Sequence, residues 1–182
     1  MAALVPLAAA CGHDPPPPIE IKHIGTPGGV WFDEACTPTG PEICGNAIDD
    51  NCNGLIDEGC GLVNSKLQFI AAWSEPTAVV DLAVSDPQGD RLDANHRDVR
   101  SGLHLDRACP QDGCNGQNVD NVVLAADTPM PGQYTVTVRL VDSGKAPLPL
   151  KVHFGWRVGN RVASTIVKLS AIDEKKDFSF EL

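Results

Sequence analysis

Between Pro41 and Cys60 the chain reads PEICGNAIDDNCNGLIDEGC, a run that sets oxygen-bearing side chains at alternate positions. With Asp49 as position 1 of a twelve-position cation loop, Asn51 falls at 3, Asn53 at 5, Gly54 at 6 and Asp57 at 9. Leu55 offers its backbone carbonyl at position 7, and Ile56 fills the apolar position 8. In such a loop alternate groups converge on one ion while the glycine permits a sharp bend. Hard carboxylate and amide oxygens select Ca²⁺ or Mg²⁺ over softer metals. Position 12, where a bidentate glutamate ordinarily stands, is Cys60, so Glu58 or Asp50 is expected to supply the missing oxygens. The expected ligand set is Asp49, Asn51, Asn53, Leu55, Asp57 and Glu58, with Ca²⁺ as the ion.

The seven cysteines stand at 11, 36, 44, 52, 60, 109 and 114. Cys44, Cys52 and Cys60 are separated by seven residues each, whereas structural zinc sites bring ligands in closely spaced pairs, so zinc is disfavoured. Copper finds no His or Met near the loop. In an oxidising compartment these thiols are expected to be bridged. Cys36, Cys44, Cys52 and Cys60 make two pairs, with three connectivities open. Cys109 and Cys114 enclose four turn-prone residues and are expected to form a local disulfide.

The run from Glu42 to Glu58 resembles a cysteine-framed metal-binding repeat of PEICDGxDNDCDGxIDE type. That repeat is found in secreted and surface proteins of certain Gram-negative bacteria, a copper-binding surface protein among them. The matching positions are Glu42, Cys44, Asp49, Asn51, Cys52, Asn53, Gly54, Asp57 and Glu58. The resemblance implies metal binding at the cell surface. Asparagine stands here where the family often has aspartate, which lowers the expected affinity.

Charge is distributed unevenly over the 182 residues, whose net charge is −10. Residues 12–60 hold nine acids against one base, Lys22, and the remainder of the chain is nearly balanced. An acidic cluster of this density is stable when solvated or when it holds a cation. The same charge argues against nucleic acid and against anionic lipid as partners.

The opening residues MAALVPLAAA are apolar and precede Cys11 directly. Ten residues are too few to span a bilayer as a helix. Ala8-Ala9-Ala10-Cys11 resembles a lipobox, with Leu7 one place earlier than the pattern has it. Residues 1–11 are therefore expected to be a signal peptide ending in a lipidated Cys11. The expected location is the outer membrane through that lipid alone, or otherwise the periplasm or medium. Pro15 to Pro18 favour an extended spacer, so residues 12–35 read as a tether, with one short strand at Ile19–Ile24.

These features call for a scaffold, and the sequence after the acidic loop (residues 62–182) supplies short strand-like runs divided by turn residues. They are Lys66–Trp73, Ala78–Ser85, Asn118–Leu124, Gln133–Val141, Leu148–Val158, Arg161–Leu169 and Asp177–Glu181. Val136, Val138 and Leu140 share one face of a strand whose other face carries Thr135, Thr137 and Arg139. Asp86-Pro87-Gln88-Gly89 and Met130-Pro131-Gly132 are turn signatures, and Gly159-Asn160 reads as a tight hairpin. The expected fold is mostly β, an antiparallel Ig-like β-sandwich preceded by the disulfide-rich, calcium-loop-like segment.

The fragments Val80-Asp81-Leu82-Ala83-Val84, Asn118-Val119-Asp120-Asn121-Val122 and Pro131-Gly132-Gln133-Tyr134-Thr135-Val136 resemble Ig-like or pre-peptidase C-terminal-like bacterial sandwich domains. Relatives of that kind are accessory or binding modules, which implies no catalysis. Asp81, Asp106, Asp120 and Asn121 mark a second candidate cation site, the preferred alternative being carboxylates that cap turns through backbone N–H groups. No G-x-S-x-G, phosphate cradle or singled-out carboxylate pair is present. The chain is expected to be a non-enzymatic, calcium-binding surface lipoprotein that contacts an unknown protein or glycan. The alternatives are an accessory module of a secreted hydrolase or inhibitor, and a copper-scavenging surface protein.

Overall fold

The computed structural model describes residues 18–182 apart from Asn115 and Gln117, so the expected signal segment and Cys11 lie outside the described residues. Ten strands form two antiparallel five-stranded sheets, and no helix occurs among the described residues. Sheet A follows the order β1 (His23–Gly25), β10 (Lys175–Glu181), β7 (Gln133–Asp142), β3 (Val79–Ser85), β4 (Arg91–Leu92). Sheet B follows β5 (Leu103–Arg107), β6 (Asn118–Leu124), β2 (Leu67–Trp73), β8 (Leu150–Val158), β9 (Arg161–Leu169).

The alternation expected of β7 is realised: Tyr134, Val136, Val138 and Leu140 are fully buried. The core between the sheets is closed by aromatic contacts, Phe69 with Phe180 at 5.0 Å and Phe154 with Phe178 at 4.5 Å between ring centres. These contacts assign Phe69, Phe154 and Trp156 to the inner face of sheet B. Ile70 and Gly155, paired across β2 and β8, therefore take its outer face.

On a two-layer sandwich that outer face would be wet. Here β2 and β6 are buried at every position. The cause is a third layer, because the cysteine-rich segment lies across sheet B. The Ala47 carbonyl approaches so closely that a Cβ at Gly155 would sit well inside 3.0 Å of it. Ala47 and Ile56 are fully buried with the core. The Ile56 carbonyl accepts from Asn64 Nδ2, and Asn121 Nδ2 on β6 donates to the Val63 carbonyl at 2.9 Å.

The segment expected as a tether also joins the fold from its described beginning. β1 pairs with β10, Asp33 bridges to Ser164 on β9, and Ile19, Ile21, Ile24, Val30 and Phe32 pack against the core. Phe32 stands within 6.2 Å of Phe154, Trp156, Phe178 and Phe180, and so fills space between the sheets. β4 and β5 form in the stretch between the expected strands, where two and five residues are too short a run to stand out from the surrounding turns.

Candidate metal centre

Two disulfides frame the acidic loop, Cys36–Cys52 and Cys44–Cys60, which settles the connectivity. Cys109–Cys114 closes the third, as expected. Each bridge of the first pair spans sixteen residues, and the two interleave, so the chain between them is confined to a small knot.

Inside the knot Asp49 organises the bend. Its Oδ1 accepts from the N–H of Asn53 at 3.1 Å and its Oδ2 from Gly54 at 2.8 Å. Gly54 itself takes a φ of 84°, the left-handed region that its sequence position required. Asn51 Oδ1 accepts from Asn53 N–H, and Asn53 Oδ1 from Leu55 N–H, so successive side chains wrap the backbone in local turns. The amides of Asn51 and Asn53 both donate through Nδ2 to Glu58 Oε1, the second at 2.6 Å. Glu58 Oε2 is buried and has no hydrogen-bond partner among the described residues. Asp49, Asn51, Asn53 and Glu58 thus belong to one bonded group.

Asp57 departs from its expected role. Its Oδ1 accepts from Gly45 and Asn46 N–H and its Oδ2 from Ala47 N–H, at 2.8, 3.3 and 3.0 Å. The reason is the Cys44–Cys60 bridge, which lays the 44–47 turn beside Asp57 and presents three backbone donors to its fully buried carboxylate. Burial raises its pKa, and those three bonds pull it back. Glu42, matched only by motif, has a comparable task. Its two oxygens accept from Asp50 and Asp57 N–H, tying both sides of the knot together. Asp50 Oδ2 accepts from Ile43 N–H and from Asn46 Nδ2. Ala47, Cys52 and Asp57 all adopt positive φ, a cost of roughly 1–2 kcal/mol each that the cross-links and carboxylate caps must offset.

Among the described residues no three His, Cys, Asp or Glu side chains come together as a metal held by such groups alone would require. The bonded group's oxygens are those of the Asp49 and Glu58 carboxylates, the Asn51 and Asn53 amides and backbone. One basic group reaches this area that the sequence does not signal. Arg161 lines, with Asp49, Asn53 and Gly54, a cavity of ≈ 390 Å³, and its guanidinium is held on Glu34 at 2.6 and 2.8 Å. Glu34 and Arg161 are 127 positions apart, so no local pattern could have joined them.

The second candidate site is corrected. Asp81 pairs with Arg139, its cross-strand neighbour on β7, at 2.6 Å. Asp120 points between the sheets, where Oδ2 accepts from Leu82 N–H at 3.0 Å and Oδ1 from Cys109 N–H at 2.8 Å. Burial pushes its pKa up to about 8, against the lowering effect of those two bonds. Asn121, next along β6, takes the opposite face and donates to Asp106 Oδ2, which also accepts from Val63 N–H. Adjacent strand residues face opposite ways, so Asp120 and Asn121 cannot serve one ion. Asp120 instead staples sheet B to the edge of β3, and Asp106 with Asn121 anchors the chain leaving the knot.

No family model matches this chain, and comparison with curated proteins and with solved structures likewise finds no match.

Proposed function

We propose that this chain is an exported cell-surface module that binds Ca²⁺ in the Asp49–Glu58 loop. On this reading the ion stiffens a disulfide-framed layer laid against a non-catalytic sandwich, whose surface contacts a protein or glycan. A lipid at Cys11 would provide the anchor.

The observation that carries the reading is the half-buried Glu58, whose Oε1 draws two amide N–H groups and whose buried Oε2 has no partner among the described residues. Positive charge is wanted there, since an unpartnered buried carboxylate oxygen is costly. The Asn51 and Asn53 side-chain oxygens each accept one backbone N–H and keep a second lone pair. On ion binding those lone pairs, Asp49 and the Leu55 carbonyl turn to the cation, and Glu58 exchanges its amide partners for the ion. Asp57 and Glu42 remain as the caps that hold the frame.

Calorimetric titration of chelator-treated full-length protein with Ca²⁺ tests this. Saturable binding is expected, together with thermal stabilisation of about 2.7 kcal/mol at one hundred times the dissociation constant. Both should be lost in Glu58→Gln, which keeps the shape but removes the charge. Absence of binding at millimolar Ca²⁺, or equal binding by Glu58→Gln, would overturn the reading.

A further inference from the structure

Asn53 and Gly54 form an asparagine–glycine pair in the knot, and Asn53 is exposed. Such a pair is labile by its own constitution. The glycine nitrogen can close a five-membered ring on the asparagine side-chain carbonyl, and the missing Cβ leaves that approach open. Closure needs the Gly54 N–H free and the Asn53 side chain turned back along the main chain.

The knot denies both conditions. Gly54 N–H donates to Asp49 Oδ2 at 2.8 Å. Asn53 Oδ1 is turned forward onto Leu55 N–H at 2.9 Å, and Asn53 Nδ2 is held on Glu58 Oε1 at 2.6 Å. The nitrogen that would attack, the carbonyl oxygen and the amide that would leave are thus all bonded elsewhere. This clamp hangs on a sulfur bridge. Cys52, the residue before Asn53, is tied to Cys36 and stands at a φ of 64°. A cysteine keeps that left-handed position only under constraint.

We propose that Asn53 is a redox-gated deamidation site, protected while Cys36–Cys52 is intact and modified once that bridge is reduced. A dithiol reductant gives two electrons to the bridge and becomes a disulfide itself. The freed Gly54 nitrogen then bonds to Asn53 Cγ. Its proton passes through water to the side-chain amide, which leaves as ammonia when the Cγ–Nδ2 bond breaks. Water opens the resulting succinimide at Cγ to give aspartate, or at the backbone carbonyl to give isoaspartate. Either product puts a carboxylate that repels Glu58 where an amide now donates to it, so a reopened knot does not re-form unchanged. None of this rests on the cation reading, and every arm of the test contains a chelator so that the two fail separately.

The full chain is incubated with or without dithiothreitol and mapped by mass spectrometry. Tryptic cleavage places Asn53 in residues 23–66, apart from the other asparagine–glycine pair, Asn115-Gly116. Conversion at Asn53 should be faster in the reduced chain on the order of tenfold or more, the worth of one hydrogen bond to a carboxylate. Asp49→Ala with its bridges intact frees the Gly54 N–H alone, and should speed conversion on the order of tenfold. Asn53→Gln should remove the product from that peptide. Equal rates in oxidised and reduced chains would overturn the inference, as would conversion in Asp49→Ala no faster than in the parent.

Discussion

Replacing Gly155 by alanine isolates the contact that makes this a three-layer protein. The new methyl would lie well inside 3.0 Å of the Ala47 carbonyl and 3.1 Å from Ile70 Cγ2. Gly155 sits in mid-strand without positive φ, so its backbone tolerates alanine and only the collision is at issue. The neighbour that must yield is backbone, itself fixed by Asp57 and the Cys44–Cys60 bridge. Overpacking of this kind costs about 1–3 kcal/mol. At about 2–4 °C per kcal/mol for a domain of this size, the melting temperature should fall by roughly 2–12 °C. Gly28→Ala is the control, since a Cβ there meets nothing within 4 Å and φ is not positive. It should stay within about 0.5 kcal/mol of the parent. Equal stability of Gly155→Ala and the parent in denaturant unfolding would refute the packing of the knot on sheet B, as would equal loss in both variants.

Asp120→Asn should cost about 1–3 kcal/mol, because an amide NH₂ would face one of the two backbone N–H groups that the carboxylate now accepts. Its pH dependence has a definite sign. With a folded pKa of about 8 against the ordinary 3.8, the folded state holds a proton that the unfolded state releases, so this group's contribution to stability is full below 3.8 and is lost as pH rises to about 8. Urea unfolding across that interval should show a shallower decline in Asp120→Asn than in the parent, and parallel curves would remove Asp120 as the cause. Phe32→Ala should destabilise by about 3 kcal/mol, the low end for a truncated aromatic since Phe32 is only partly buried, and a change below about 0.5 kcal/mol would contradict its place between the sheets.

The strands were largely legible. Asn118–Leu124 and Arg161–Leu169 form with the bounds expected, because turn residues delimit them and period-two alternation or β-branched composition fills them. β5 was not, since Leu103 and Leu105 are its only buried apolar residues and charge surrounds them. Within the knot the bend at Gly54 followed from spacing, because it is local to a few residues. Asp57 did not, because its donors lie ten to twelve positions away and are delivered by a disulfide.

By itself the sequence determined the fold class, the cysteines available for bridging and the loop in which oxygens recur at alternate positions, since all three are written in local period and residue type. Only tertiary structure decided which sulfurs pair, and that the knot covers sheet B as a third layer. It alone placed Asp120 between the sheets and packed Phe32 against the core. Those outcomes depend on which surfaces meet across tens to more than a hundred residues, and contacts of that range leave no periodic trace in the chain that makes them.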